Sequence, residues 1–472
     1  MVGGLGTRET NVLMARKIKK TKGISAKRLH GSADLLLGWS ADSEARARVG
    51  FAGPVGGPET GDPGASRRPI TMADDGHIIT VAPTGAGKGR SAIIPNLLRY
   101  QGPVIVVDPK GENCRVTARA RRAMGHDVKI IDPFGLVTDE TDQLNPLDVL
   151  GRPGVELESE AQALAMMLAG GDHGLKEPFW EIWGRSLVSG VIGYVSEREP
   201  PENRHFGRVR ELLKNDDVVF SLAKLLDEHP DLGGIARTEI AAFLQLTDVT
   251  RSGVLATAQS FTEVVNSAPA RRTLSATTVD LDAVAKGDPV TIYLVIPPDK
   301  LASHGALLRL WIGALLKTVM SRTERPAHDT LFVIDECAQL GQLEHLRVAM
   351  TLLRGYGLKV WAFFQDLSQM RRLYPNDWQT IVNNAAVFQT FGLTNHVMAS
   401  EAADLVGDVD AFALRALGRD RQVLAPARSR ARVCRLPDYL SDPEFEGRFD
   451  ANPMFARRDA PRPVPPEPGL LI

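Results

Sequence analysis

HIITVAPTGAGKGRSAIIPNLL, residues 77–98, is the stretch on which the reading of this chain turns. It opens with Ile78, Ile79, Thr80 and Val81, the composition of a buried strand. Ala82-Pro83-Thr84-Gly85-Ala86-Gly87-Lys88-Gly89 follows, and apolar periodicity resumes at Ala92, Ile93, Leu97 and Leu98, as on one helix face. Strand, glycine-rich turn, lysine and helix together are the context of a P-loop. Gly85 and Gly87 let the backbone curl with its N–H groups inward, a nest for phosphate oxygens. The helix N-terminus adds partial positive charge, and Lys88 can reach the β- and γ-phosphates. The expected nucleotide contacts are Ala82, Pro83, Thr84, Gly85, Ala86, Gly87, Lys88, Gly89 and Arg90. An ordinary glycine-rich turn would share the pattern, but not the second motif described below.

One position departs from the generic motif. A Ser or Thr after the lysine normally places a hydroxyl on Mg²⁺, and here that residue is Gly89. Ser91 is a poor substitute, because two helical positions rotate it by about 200°. The metal must lean on another carboxylate and on water.

Bulk properties narrow the class. A chain of 472 residues with 43% hydrophobic and 24% charged residues reads as a globular protein of two to three domains, or one large core with an insertion. A net charge of −1 excludes a diffuse cationic coat but leaves room for a local nucleic-acid groove or pore. Three widely spaced cysteines, Cys114, Cys337 and Cys434, point to a reducing compartment. No run of about 18 apolar residues suggests a transmembrane helix, and the N-terminus lacks the apolar core of a signal peptide.

Residues 1–69 read as a poorly packed lead-in. It holds a basic segment (Arg16, Lys17, Lys19, Lys20, Lys22, Lys27, Arg28) and a Gly/Pro-rich loop from Gly53 to Pro69. The basic segment is either a solvated tail or an arm for anionic lipid or nucleic acid. After the P-loop, Val104–Val107 is a buried strand with Asp108 at its carboxyl end, where open α/β sheets place ligand residues. Asp127–Ile131 is a further strand, and Arg115, Arg119, Arg121 and Arg122 between the two lie on a helix whose default is a solvated face. From 155 to 285 strand signals vanish, and helical periodicity marks an inserted all-α domain. Strands return at Val290–Ile296, Thr330–Asp335, Lys359–Phe364 and Ala385–Phe391, with an apolar helix over Ala302–Met320. Segments 70–154 and 286–455 thus form one α/β domain around a mostly parallel sheet of seven strands. Beyond Gly407 the chain looks less regular, and the proline-rich tail 456–472 favours an extended, disordered state.

Leu331–Leu346, LFVIDECAQLGQLEHL, has the form of a Walker B element. A buried strand would deliver Asp335 to the Mg²⁺ shell and Glu336 to the attacking water, or would simply end in a solvated acidic turn. Gln365, just past the Lys359–Phe364 strand, could sense γ-phosphate or merely satisfy local backbone. Arg354, Arg371 and Arg372 are candidates for a finger supplied to a neighbouring subunit. The ten histidines show no pair at metal-ligand spacing, and no nucleophile-elbow pattern precedes a helix.

These blocks carry a resemblance. APTGAGKGRSAIIPNLL, VIVVDPKGEN, LNPLD at Leu144–Asp148, PFW at Pro178–Trp180, DECAQLGQLEHL, LLRGYGLKVWAFFQDLSQM and RFDANPMF stand in the order found in type IV secretion coupling proteins, the conjugative DNA-transfer ATPases. The chain resembles that family from about Gly76 to Phe455, and glycine after the P-loop lysine is usual in this branch. The resemblance implies a RecA-like P-loop NTPase domain with an inserted all-α domain, assembled as a homo-oligomeric ring, a hexamer. It implies ATP and Mg²⁺ as ligands. Lys88 would hold phosphates, Asp335 the metal directly or through water, Glu336 the water, and Gln365 would sense nucleotide, with Arg354 as a further catalytic candidate. The expected partners are DNA in a relaxosome or T-strand, or protein effectors, together with type IV secretion channel proteins. Family members usually begin with two transmembrane helices; here the expected site is the bacterial cytoplasm, peripheral to the inner membrane. The expected function is an ATP-driven translocation motor for DNA or nucleoprotein. Its alternatives are a motor or receptor for protein effectors and a nucleotide-binding docking scaffold.

Overall fold

The structure, a computed structural model, describes residues 32–40, 68–72, 75–170, 178–341 and 344–453. The basic segment at 16–28, most of the Gly/Pro-rich loop and the tail at 456–472 lie outside the described residues. The strands are β1 (Leu35–Trp39), β2 (Pro69–Met72), β3 (His77–Val81), β4 (Val104–Val107), β5 (Asp127–Ile131), β6 (Val290–Leu294), β7 (Thr330–Ile334), β8 (Leu358–Phe364), β9 (Ala385–Thr390), β10 (Arg421–Pro426) and β11 (Arg432–Arg435). Before β5 come α1 (Ile94–Leu97) and α2 (Glu112–Ala123). Between β5 and β6 the regular elements are helical: α3 (Leu157–Ala169), α4 (Pro178–Arg198), α5 (Phe206–Leu213), α6 (Val218–Glu228), α7 (Gly234–Leu244), α8 (Asp248–Phe261), α9 (Ala268–Thr273) and α10 (Leu281–Lys286). After β6 come α11 (Leu301–Met320), α12 (Glu344–Leu352), α13 (Leu367–Leu373), α14 (Trp378–Asn383), α15 (His396–Val406) and α16 (Ala411–Ala416).

The strands join one sheet in the order β2-β1-β11-β10-β9-β3-β8-β7-β4-β6-β5. From β9 to β5 every neighbouring pair is parallel, which accounts for the seven strands legible in sequence. Side chains alternate between two faces, as the period of a strand requires. Ile79, Val81, Val107, Phe332 and Phe364 enter one core, while Ile78, Val106, Val333 and Phe363 enter the other. The second core is closed by Ala92, Ile93 and Leu97 near α1 and by Cys114 and Ala118 of α2. The first core runs without a break through Trp311 of α11 into Leu187 and Ile240 of the helical stretch. The helices between β5 and β6 are therefore inserted in sequence yet share the sheet's core. Trp311 fastens the join, its Nε1 donating to Leu144 O at 3.1 Å.

Three expectations are corrected. The lead-in at 1–69 contains β1, whose leucines Leu35 and Leu36 are fully buried and whose Trp39 is 6% exposed. Asn96 of α1 accepts from Leu36 N at 2.7 Å and donates to Leu36 O at 2.8 Å, so β1 is fastened to the helix that follows the glycine-rich loop. The segment beyond Gly407 is regular, since β10 and β11 extend the sheet antiparallel past β9. Short strands around a bulge escaped pattern reading. Gly38 marks it: a Cβ there would lie 2.7 Å from Gln422 Nε2 and 2.9 Å from Arg435 O. The α2 arginines are also not one solvated face. Arg119 pairs with Asp450 at the surface, but Arg121 is fully buried and donates to Gly102 O and Thr291 Oγ1 at 2.8 and 2.9 Å.

Candidate active site

β3, β8 and β7 are adjacent and parallel, so their carboxyl ends open on the same edge of the sheet. The loop after β3 starts with Ala82 N donating to Phe364 O of β8 at 3.0 Å. Gly85 and Gly87 then take φ +80° and +94°, the left-handed region where a side chain is strained. A Cβ on Gly85 would meet nothing within 4 Å, so conformation and not crowding calls for glycine there. Lys88, 7% exposed, donates from Nζ to Ala82 O at 3.0 Å, curling back over the loop. Burial pulls its pKa down, and the charges of Glu336 and Asp335 oppose that pull. The chain continues as a wide π turn, Gly89–Ile93, before α1.

β7 brings Asp335 and Glu336. Consecutive residues of a strand point to opposite faces, and the strand ends here to defeat that rule. Glu336 takes φ +58°, ψ +49°, the one positive φ outside glycine among the described residues. A left-handed glutamate costs on the order of 1–3 kcal/mol, a strain typical of functional sites. The turn brings Glu336 Oε1 to 3.9 Å from Lys88 Nζ. Asp335 is 9% exposed, and its pKa is pushed up to about 6 by burial first and by the Glu336 charge second, against Lys88 and Lys110. From β8, Gln365 Nε2 donates to Glu336 Oε2 at 2.6 Å. Lys88, Asp335, Glu336 and Gln365 thus lie together at the ends of β3, β7 and β8.

Other expected residues lie elsewhere. Arg90 directs its guanidinium to Asp438, with Nε to Oδ1 at 2.7 Å, and is half exposed. Arg354 precedes β8, at the amino end of the strand, and donates to Asp75, which precedes β3, at 2.7 Å. A strand length of roughly 20 Å separates it from the loop of its own chain, so it is not a residue of that site. Arg371 of α13 pairs with Glu401 at 2.6 Å and lies over the Trp378 ring; Arg372 is exposed.

Lys110 was passed over, whereas Asp108 is legible in sequence as a ligand position at the end of its strand. Lys110 Nζ lies 3.8 Å from Glu336 Oε1. Asp108, fully buried, has a pKa pushed up to about 7 by burial and by Asp335, while the backbone N–H of Cys114 opposes the shift. Their signal was position: β4 neighbours β7, so residues just past Val107 fall beside residues just past Ile334.

The residues fit a nucleotide with a divalent cation. Asp335 and Glu336 crowd negative charge in a buried place, with the left-handed glycines and Lys88 opposite. Among the described residues no group of three or more His, Cys, Asp or Glu could hold a metal by itself. Asp335 would give one oxygen to a shell otherwise made of phosphate and water, a common arrangement for Mg²⁺.

A family model described as Type IV secretory system Conjugative DNA transfer matches residues 53–409. The chain belongs to this family. A probable conjugal transfer protein TraG of Sinorhizobium fredii is 28% identical over 305 residues, which cover 63% of this chain and 47% of the relative. Protein VirD4 of Agrobacterium fabrum is 28% identical over 331 residues, covering 67% of this chain and 47% of the relative. The chain spans about half the length of these curated relatives. The bacterial conjugative coupling protein TrwBdeltaN70 matches with a TM-score of 0.60 at 15% identity, over 78% of this chain and 87% of that one. Plasmid coupling protein TrwB in complex with ADP and Mg²⁺ matches at 0.58 and 15%, over 77% and 85%. At this identity the likeness establishes the fold: a RecA-like α/β P-loop architecture with a large helical portion. Among the described residues of this coupling-protein relative, no helix is long and apolar enough to cross a membrane.

Proposed function

We propose that this chain is an ATP-driven motor that recruits DNA or nucleoprotein and feeds it to a type IV secretion channel. The observation that carries the reading is the convergence of Lys88, Asp335, Glu336 and Gln365 at the carboxyl ends of three adjacent parallel strands. Family membership and the ADP and Mg²⁺ named with TrwB support ATP and Mg²⁺ as the ligands.

Each residue has a distinct task. The loop Ala82–Gly89 presents backbone N–H groups to phosphate, and Lys88 leaves Ala82 O to neutralise the β- and γ-oxygens. Asp335 orders the metal shell, where Mg²⁺ would offset charge on the phosphate oxygens. Glu336 accepts the proton of the attacking water, and Gln365 fixes the Glu336 carboxylate while registering the γ-phosphate. A homo-oligomeric ring, a hexamer, places an arginine from the next protomer at the site. Arg354, at the opposite edge of the sheet and unable to reach its own loop, is suited to that role, as are Arg371 and Arg372 on the surface. The helical stretch 155–285 would select cargo. The motor would work in the bacterial cytoplasm, peripheral to the inner membrane.

The test is ATP turnover of the purified protein with and without single- and double-stranded DNA, over a salt series. Stimulation by DNA that fades steeply with salt supports the reading. Stimulation by a protein partner alone would replace DNA with protein effectors, and absent hydrolysis under all conditions would leave a docking scaffold.

A further inference from the structure

We propose that Lys110 is a positioning residue for Glu336, the cation that keeps this carboxylate in place once nucleotide has drawn Lys88 away. The inference rests on the function proposed above and deepens it.

Both oxygens of Glu336 are engaged. Oε1 stands 3.9 Å from Lys88 Nζ and 3.8 Å from Lys110 Nζ, and Oε2 accepts from Gln365 Nε2 at 2.6 Å. The residue is 5% exposed and follows a second buried carboxylate, Asp335. Adjacent buried carboxylates need compensating charge or hydrogen bonds. The two lysines are not equivalent sources of it. Lys88 springs from the phosphate loop and donates to a neutral carbonyl, Ala82 O. Phosphate oxygens are stronger acceptors, so a bound triphosphate takes Lys88. Glu336 then depends on Gln365 and on Lys110, which comes from another strand and is half exposed at the rim.

The turn that carries Lys110 is built to hold it there. Asp108 spends its carboxylate on the start of α2, Oδ2 accepting from Cys114 N at 2.8 Å and Oδ1 from Asn113 Nδ2 at 3.2 Å. Its carbonyl accepts from Gly111 N at 3.0 Å, closing the turn around Pro109 and Lys110. Gly111 takes φ +64°, and a Cβ there would lie 2.4 Å from Val137 Cγ2, so only glycine closes it this way. A lysine on a solvated face would need no such fixed base. Asp108 thus acts on the site through the turn, and Lys110 acts on it through Glu336.

Lys110→Met keeps the stem and removes the charge; Lys110→Arg keeps the charge. Lys110→Met should lower kcat about 10- to 100-fold, the usual effect of a misplaced reacting group. Affinity for Mg–ATP should be unchanged, and Lys110→Arg should recover most of the turnover. The decisive comparison repeats Lys110→Met in a Glu336→Gln background by single-turnover hydrolysis. A residue acting through Glu336 has nothing left to position there, so the second substitution should add no further loss. Unchanged kcat for Lys110→Met, an equal loss in both backgrounds, or a loss confined to ATP affinity would each overturn the inference. The last result would make Lys110 a phosphate contact. Failure of the proposed function is separate: it shows as Glu336→Gln hydrolysing ATP at the parent rate, whatever Lys110 does.

Discussion

The Gln365 amide donates to Glu336 Oε2 at 2.6 Å, joining the end of β8 to the end of β7 across the mouth of the site. Gln365 is itself held, its backbone N–H donating to Gln369 Oε1 at 3.0 Å in the first turn of α13. Movement of α13 is therefore transmitted to the carboxylate through one side chain. Gln365→Ala removes the tether and leaves Glu336 between two lysines. Turnover should fall about 10- to 100-fold with ATP affinity little altered. Steady-state hydrolysis beside equilibrium nucleotide binding checks this, and parent-like kcat would make Gln365 a bystander.

Lys88→Ala should act at the binding step. The loop would keep its two left-handed glycines but lose the buried ammonium that now lies between Ala82 O and Glu336. ATP binding and hydrolysis should both collapse, because no other described cation rises from inside the loop. Titration with a fluorescent ATP analogue, read beside turnover, separates the two. Unchanged turnover would remove the loop from the mechanism.

Asn96→Ala should show that β1 belongs to the folded core. The Asn96 side chain satisfies the N–H and C=O of Leu36, a residue with no exposure. Its loss strands two buried backbone groups, each worth about 1–3 kcal/mol. Urea unfolding should show a lower midpoint at constant slope. A midpoint within error of the parent would return residues 32–40 to the status of a loose lead-in.

What the sequence disclosed follows from how local each signal is. The P-loop and the Asp335–Glu336 strand end are contiguous motifs, and six of the seven parallel strands are almost wholly buried, so they read as apolar runs, while the edge strand β5 is buried only at its end. β1 and β11 are four or five residues long, one interrupted by Gly38 and the other beginning and ending in arginine. Only their sheet partners make them strands. Arg121 looked like its neighbours on α2, and nothing in a charge run tells which arginine turns inward to cap carbonyls of the 97–102 turn. Lys110 was legible only through strand order. Adjacency of β4 to β7 is a property of topology, and without it Lys110 and Glu336 are residues far apart in the chain. Arg354 was singled out as a finger for a neighbouring subunit, and its place at the amino edge, where it donates to Asp75, follows only from the strand order.

Asp335 offers the sharpest test, because its charge opposes folding while, on the proposed function, it would serve the metal. Its pKa stands at about 6 in the folded chain against an ordinary value of 3.8. A raised carboxylate pKa means that the native state binds the proton more tightly than the unfolded state between those values. Stability from this group is therefore greatest at low pH and is lost as pH rises through about 6. The shift corresponds to on the order of 2–3 kcal/mol at pH 8. Asp335→Asn keeps the shape and removes the charge. Without nucleotide, the variant should be more stable than the parent at pH 8, and the difference should shrink to about half at pH 5, vanishing only below the unfolded value of 3.8. His77 and His126, both lowered to about 4 chiefly by burial, titrate in the opposite sense across the same range. They are common to both proteins and cancel in the difference. Excess Mg–ATP should reverse the order at pH 8, since ligand binding stabilises only the chain that retains affinity. The measurement is urea unfolding of both proteins at the two pH values, with and without Mg–ATP. A variant less stable than the parent at pH 8 without nucleotide would show that Asp335 is no strained charge. Equal stabilisation of both by Mg–ATP would remove it from the metal shell.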